Sequence, residues 1–237
     1  MFVFTKKLPD GKFIHSHKVG HLIQEPSICV CEIEFHTNNY RDALFTEHSI
    51  QFPEQLFAAV AKRRSEYLCG RLAAQTLLHE KQIYAQITQS TDGAPIWPGG
   101  WLGSISHTDH CAIAVIAPQN KRCILGIDIE NFNPEALDEI AGTIAQESER
   151  KRLAKSEIDY NIALHIAFSA KESLYKALYP QVRQIFGFES AIITDINTHK
   201  QTFSIQLTHA LTPALPAGFQ RTGYYQLDKD KVVTVIY

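Results

Sequence analysis

The chain reads as an α+β protein, and three observations predict that class. Two long stretches, from about Glu54 to Glu80 and from about Ser156 to Leu178, are helical in character and hold no proline. Several shorter segments alternate apolar with polar residues, or run apolar over strand lengths. The strand segments read mainly as antiparallel pairs, which goes with α+β rather than with strictly alternating helix and strand.

In chain order, residues 27–34 (Ser-Ile-Cys-Val-Cys-Glu-Ile-Glu) alternate as a strand. The first long helix carries Leu56, Val60, Leu68 and Leu72 among its apolar positions. Residues 89–103 are rich in Gly and Pro and hold two tryptophans, which predicts a loop. Two strands follow, Cys111–Ala117 and Cys123–Glu130, joined by the polar turn Pro118 to Arg122. Asn133-Pro134 predicts a helix start, with Asn133 as N-cap. The second long helix is expected to stop before Pro180. The tail predicts strands at Ala191–Ile196, Thr202–Leu207, Tyr224–Leu227 and Val232–Ile236. Neither a Pro/Gly/Ser linker nor a short-period repeat divides the chain.

The 237 residues are 45% hydrophobic and 20% charged, which excludes bulk disorder. A net charge of −2 supplies no global attraction to nucleic acid. The local basic clusters Lys62-Arg-Arg64, Lys121-Arg122 and Arg150-Lys-Arg152 read mostly as solvated helix faces. No apolar run is long enough to span a membrane, and the N-terminus lacks the apolar core of a signal peptide. Five cysteines, an odd number, read as free thiols in a reducing cytosol, so the expected location is cytoplasmic. Cys29-Val-Cys31 lacks the spacing of a zinc site, and His15, His17 and His21 have no acidic or thiol partner at a telling distance in sequence.

Two stretches carry chemistry. In Gly126-Ile-Asp-Ile-Glu130, strand alternation puts Asp128 and Glu130 on one face and Ile129 on the other. In Phe168-Ser-Ala-Lys-Glu-Ser-Leu-Tyr-Lys176, helical spacing puts Phe168, Glu172 and Lys176 on one stripe. Three carboxylates offer hard oxygen donors suited to Mg²⁺, and the nearby lysines suit phosphate. The plain alternatives are a solvent-facing strand for Asp128 and Glu130, and a helix-surface ion pair between Glu172 and Lys176.

Together these stretches resemble the phosphopantetheinyl transferases of the larger surfactin- and siderophore-synthetase type. Phe168 stands where that family more often has Trp. Three upstream pieces also resemble it, in the same order: Lys62-Arg-Arg-Ser-Glu-Tyr-Leu-Cys-Gly-Arg71, Asp92-Gly-Ala-Pro-Ile-Trp-Pro98 and Gly103-Ser-Ile-Ser-His-Thr108. The resemblance implies two similar α+β halves related by pseudo-two-fold symmetry, with the active site between them. The junction falls near residues 118–122, giving halves of 1–120 and 121–237. It implies Mg²⁺-dependent transfer of phosphopantetheine from coenzyme A to a serine of an apo acyl or peptidyl carrier protein, releasing adenosine 3′,5′-bisphosphate. Asp128, Glu130 and Glu172 are then the metal ligands, and Glu172 is also the base. Lys171 and Lys176 meet phosphate oxygens, with Lys171 beside Glu172 in the catalytic set. Arg63, Arg71, Gly93, Ser106 and His107 bind coenzyme A, the histidine at its 3′-phosphate. A monomer is implied, because one chain supplies both halves. Asp92 departs from the family, which often has a basic residue there.

Two other functions compete. One is a catalytically silent module that binds coenzyme A or a carrier; the intact Asp128, Glu130 and Glu172 argue against it. The other is an unrelated Mg²⁺-dependent nucleotide hydrolase, against which stands the lack of a Gly-x-x-x-x-Gly-Lys-Ser/Thr loop.

Overall fold

The computed structural model describes residues 1–9, 11–119 and 124–237. They form two compact units, Phe2–Cys123 and Ile124–Tyr237. The turn and junction expected at 118–122, including Lys121-Arg122, lie mostly outside the described residues, as does the expected strand start at Cys123.

The N-terminal unit contains β1 (Phe2–Lys7), β2 (Ile14–Leu22), β3 (Cys29–Phe35), α1 (Ala43–Glu47), α2 (Ala61–Glu80), β4 (Thr88–Gln89), β5 (Pro95–Ile96), β6 (Trp101–His107) and β7 (Cys111–Pro118). Strands β1, β2, β3, β7 and β6 form one antiparallel sheet in that order. The apolar run Cys111–Ala117 is buried throughout, as its sequence requires of a central strand. Helix α2 lies against β3, β6 and β7, burying Leu68, Cys69, Ala73 and Leu77 with Ile33, Ala114 and Ile116. A methyl group at Gly70 would stand 2.9 Å from Ile105 Cγ2, so glycine lets the helix ride close to β6. That strand ends in Ser106 and His107.

Three expectations change in this unit. The histidine- and lysine-rich segments that form β1 and β2 alternate too weakly to read as strands; cross-strand partners such as Lys18 and Glu32, 2.9 Å apart, complete them. The first long helix starts at Ala61 rather than Glu54, because Glu54–Leu56 is a separate 3₁₀ turn. Arg64 fastens that turn by donating to Leu56 O at 3.0 Å and Phe57 O at 2.9 Å, and it pairs with Asp42 through both carboxylate oxygens. Within 89–103 the chain makes the ribbon β4–β5 and then enters β6 at Trp101. Gly103 serves packing there: an added Cβ would lie 2.4 Å from the Trp97 ring.

The C-terminal unit contains β8 (Gly126–Asn131), α3 (Pro134–Glu139), α4 (Ala141–Ile144), α5 (Glu147–Leu153), α6 (Tyr160–Val182), β9 (Ala191–Asn197), β10 (Thr202–Leu207), β11 (Gln220–Leu227) and β12 (Lys231–Ile236). Its antiparallel sheet runs β8, β12, β11, β10, β9. Asn133 caps α3 as expected, accepting from Ala136 N at 3.2 Å. Helix α6 starts four residues later than expected, at Tyr160, where the Asp159 carboxylate accepts from Asn161 N and Ile162 N. It also passes through Pro180 to Val182 and ends where Arg183 turns left-handed at φ 55°. So close to the C-terminus, a proline interrupts few helical bonds.

Helix α6 packs across β8 and β12. A Cβ at Gly126 would fall 1.9 Å from Ser173 O, so only glycine admits this approach. The hydroxyls of Ser169 and Ser173 meet Thr234 Oγ1 on β12 at 2.9 and 2.7 Å. The two serines of the Ser-Ala-Lys-Glu-Ser stretch are thus the seam between helix and sheet. The observed class is α+β. Among the described residues no helix is long and apolar enough to cross a membrane, and Cys29, Cys31, Cys69 and Cys111 are free thiols.

Candidate active site

In the C-terminal unit the seam sets the position of the carboxylates. Asp128 lies opposite Thr234, the residue gripped by Ser169 and Ser173, and Glu130 lies opposite Val232. Asp128 is 1% exposed, and Lys176 Nζ stands 2.6 Å from its Oδ1. Burial pushes the Glu130 carboxyl up to about 8; the charge of Asp128 adds to the rise, Lys176 opposes it, and Glu172 adds a smaller push. Burial and then Asp128 likewise raise Glu172, against Lys176. Glu130 and Glu172 thus each feel the charges of Asp128 and Lys176. Lys176 thus bonds a buried strand aspartate and also acts on Glu172.

Fully ionised, these three carboxylates would carry more negative charge than Lys176 offsets, which goes with the raised proton affinity of Glu130 and Glu172. Hard oxygen donors with excess negative charge fit a small divalent cation such as Mg²⁺, which keeps several of its waters. Among the described residues, no three His, Cys, Asp or Glu side chains are already drawn together as a metal-holding group.

Lys171 does not join these groups. It is 4% exposed and donates to Glu149 Oε2 at 2.7 Å, Ile144 O at 2.8 Å and Phe188 O at 3.2 Å. Three acceptors satisfy its three N–H bonds, so the expected contact with phosphate is replaced by a buried anchor. Burial lowers the Lys171 ammonium's affinity for its proton, and Glu149 opposes this. Glu149 in turn accepts from Ile193 N at 2.7 Å. The sequence reading missed Glu149, whose partner lies 22 residues away along the chain.

In the N-terminal unit, α2 and the end of β6 bring Arg63 and His107 together, with Arg63 Nη1 2.8 Å from His107 Nε2. Glu66, also missed from sequence, lies 3.6 Å from each of them. Its signal was present, three residues after Arg63 in the basic segment. Lys62 pairs with Asp109 at 2.6 Å. Arg71 is 7% exposed, its guanidinium lies 4.7 Å from the Tyr67 ring centroid, and its Nε has no hydrogen-bond partner among the described residues. Ser106 is buried near the end of β6. Gly93 sits in a turn at φ 89°, a conformation that favours glycine, while Asp92 accepts from the Ser90 hydroxyl.

Comparison with known proteins places both units in one family. Residues 52–117 match the 4′-phosphopantetheinyl transferase N-terminal domain, and residues 124–232 match the 4′-phosphopantetheinyl transferase superfamily. Enterobactin synthase component D of Salmonella typhi is 35% identical over 206 residues, 85% of this chain and 84% of that protein. The Escherichia coli K12 protein of the same name is 36% identical over 148 residues, 61% of this chain and 68% of its own. The 4′-phosphopantetheinyl transferase PptT of Mycobacterium tuberculosis is 31% identical over 139 residues, 57% of this chain and 60% of its own.

Proposed function

The chain belongs to the 4′-phosphopantetheinyl transferase superfamily, and from that premise we propose an Mg²⁺-dependent mechanism with assigned residues. The enzyme moves phosphopantetheine from coenzyme A to a serine of an apo carrier protein. The observation that carries the mechanism is the bond from Lys176 to Asp128, with both charges acting on Glu130 and Glu172. Asp128, Glu130 and Glu172 would hold Mg²⁺, which when bound supplies positive charge to the pyrophosphate.

The chain's own residues do the rest. Lys176 adds a mobile positive charge beside Asp128 for the same phosphates. Glu172, whose affinity for a proton burial has raised, takes the proton of the carrier serine as its oxygen attacks the β-phosphorus. The adenosine bisphosphate leaves with the electron pair of the broken P–O bond. A cavity of about 220 Å³, lined by Glu172, Leu174, Tyr175, Ile185, Phe186 and Phe188, is apolar enough to take the uncharged pantetheine arm. Arg63, Arg71, Ser106 and His107 are assigned to the nucleotide end, His107 and Arg63 to its 3′-phosphate, and Gly93 to a close backbone approach. Reduced thiols favour a cytoplasmic enzyme, and it acts as a monomer.

The test incubates the protein with coenzyme A, Mg²⁺ and an apo carrier, and weighs the carrier. Gain of one phosphopantetheinyl group, lost on chelation and restored by Mg²⁺, is the expected result. Binding of coenzyme A with an unchanged carrier mass would favour the silent binding module.

A further inference from the structure

We infer that Glu66 fixes the tautomer of His107, and so makes capture of the 3′-phosphate of coenzyme A a proton-consuming step. The inference rests on the reading that Arg63 and His107 meet that phosphate.

Arginine has donors and no acceptor. The 2.8 Å contact from Arg63 Nη1 to His107 Nε2 therefore makes Nε2 the acceptor, and the ring proton belongs on Nδ1. Nδ1 faces Glu66 Oε2 at 3.6 Å, and the same oxygen is 3.6 Å from Arg63 Nη1. The acid is held in place while its partners are open: the side chain of Glu66 is 10% exposed, against 49% for Arg63 and 29% for His107. Among the described residues, the other charged groups acting on Glu66 are Lys62 and Asp109, which pair with each other. Burial raises Glu66, while Arg63 and then Lys62 pull it back towards the charged form.

A phosphate dianion only accepts hydrogen bonds. When it draws Arg63 away from the ring, His107 can hold it only by donating from Nε2. The Nδ1 proton stays directed at Glu66, so Nε2 takes a new proton from the buffer. One N–H bond forms and one buffer proton is consumed, and the imidazolium is balanced by Glu66 on one side and the phosphate on the other. An amide in place of the carboxylate removes the preference. It can donate to Nδ1, the ring's own proton then sits on Nε2, and no uptake is needed.

The experiment is calorimetric titration of the full chain with coenzyme A and with dephospho-coenzyme A at pH 7.5, in two buffers of different ionisation enthalpy. At that pH a phosphate monoester is already largely dianionic, its second pKa being about 6. Wild type is expected to take up roughly half a proton or more with coenzyme A beyond its uptake with dephospho-coenzyme A. Glu66→Gln should lose most of that excess, while its coenzyme A affinity changes less than about tenfold and depends less on pH between 6.5 and 8.5. His107→Asn, which keeps Glu66, should lose the excess too. Equal excess uptake in wild type and Glu66→Gln overturns the inference and leaves the phosphate reading standing. Identical proton counts for the two ligands in wild type also overturn the inference, whereas equal affinities for the two ligands overturn the phosphate reading itself.

Discussion

In the C-terminal unit Lys176 bonds Asp128, and both charges act on the carboxyls of Glu130 and Glu172. In the N-terminal unit the pattern is inverted: Arg63 and His107 gather around the carboxylate of Glu66. The scaffolds are alike, each a five-stranded antiparallel sheet with one long helix packed on it through a glycine, Gly126 in one and Gly70 in the other. The same packing thus presents opposite charge. In the mechanism proposed above, the C-terminal unit would hold a cation and the N-terminal unit would meet an anion.

The sharpest way to break the comparison is to empty the acidic side. Asp128→Ala should lower transfer by about a thousandfold or more and abolish its response to Mg²⁺, with the fold intact by circular dichroism. Carrier modification near the wild-type rate, with Mg²⁺ titrating normally, would remove the metal assignment. Glu172→Gln should cost at least about a hundredfold in single-turnover rate, the scale of a lost general base, with coenzyme A binding much less affected. The two jobs of Glu172 separate across an Mg²⁺ series: full rescue at high Mg²⁺ would leave it a ligand and not a base.

On the basic side, Arg71→Ala should weaken coenzyme A by about tenfold and dephospho-coenzyme A by less, as removal of a charge-assisted phosphate contact implies. Equal losses for the two compounds would restrict Arg71 to its place over Tyr67. Its buried Nε, without a hydrogen-bond partner among the described residues, is a donor in want of an acceptor, which favours the first outcome.

What could be read in the sequence is what depends on local periodicity. Strand alternation put Asp128 and Glu130 on one face, and helical spacing put Glu172 and Lys176 on one stripe. Most strands of the C-terminal tail were equally legible, because each is a short run, rich in β-branched or aromatic residues, set off by turn residues. The remainder depends on distant partners. Lys171 sits beside Glu172 in sequence and looked equally available, but Glu149, Ile144 and Phe188 draw it into the core. The bond from Lys176 to Asp128 joins residues 48 apart, which no local spacing reveals. The start of α2 was displaced by Arg64, whose side chain fastens a preceding turn that carries no helix breaker after Pro53.

The smallest expected effect concerns acid, and it again sets the two units apart. In the N-terminal unit burial lowers His17 to about 4, with a further push from His48. A histidine lowered in the fold gives stability that is full above its unfolded pKa of about 6.5 and is lost as pH falls through 4. In the C-terminal unit Glu130 is raised to about 8. A carboxyl raised in the fold gives stability that is full below its unfolded pKa of about 4.3 and is lost as pH rises through 8. Acidification from pH 7 to 5 should therefore loosen the N-terminal unit and tighten the metal-free C-terminal one. Hydrogen exchange, corrected for the intrinsic rate at each pH, should show the N-terminal core opening about tenfold more often at pH 5, after discounting for solvent that still reaches the ring. His17→Gln, which keeps a partner for Thr76 at 3.2 Å but cannot charge, should remove most of that change. Mg²⁺ should protect the C-terminal unit most at pH 8, where Glu130 gives up its proton to a cation most readily. Parallel loosening of both units in acid would show that His17 and Glu130 do not govern the acid response of the two units.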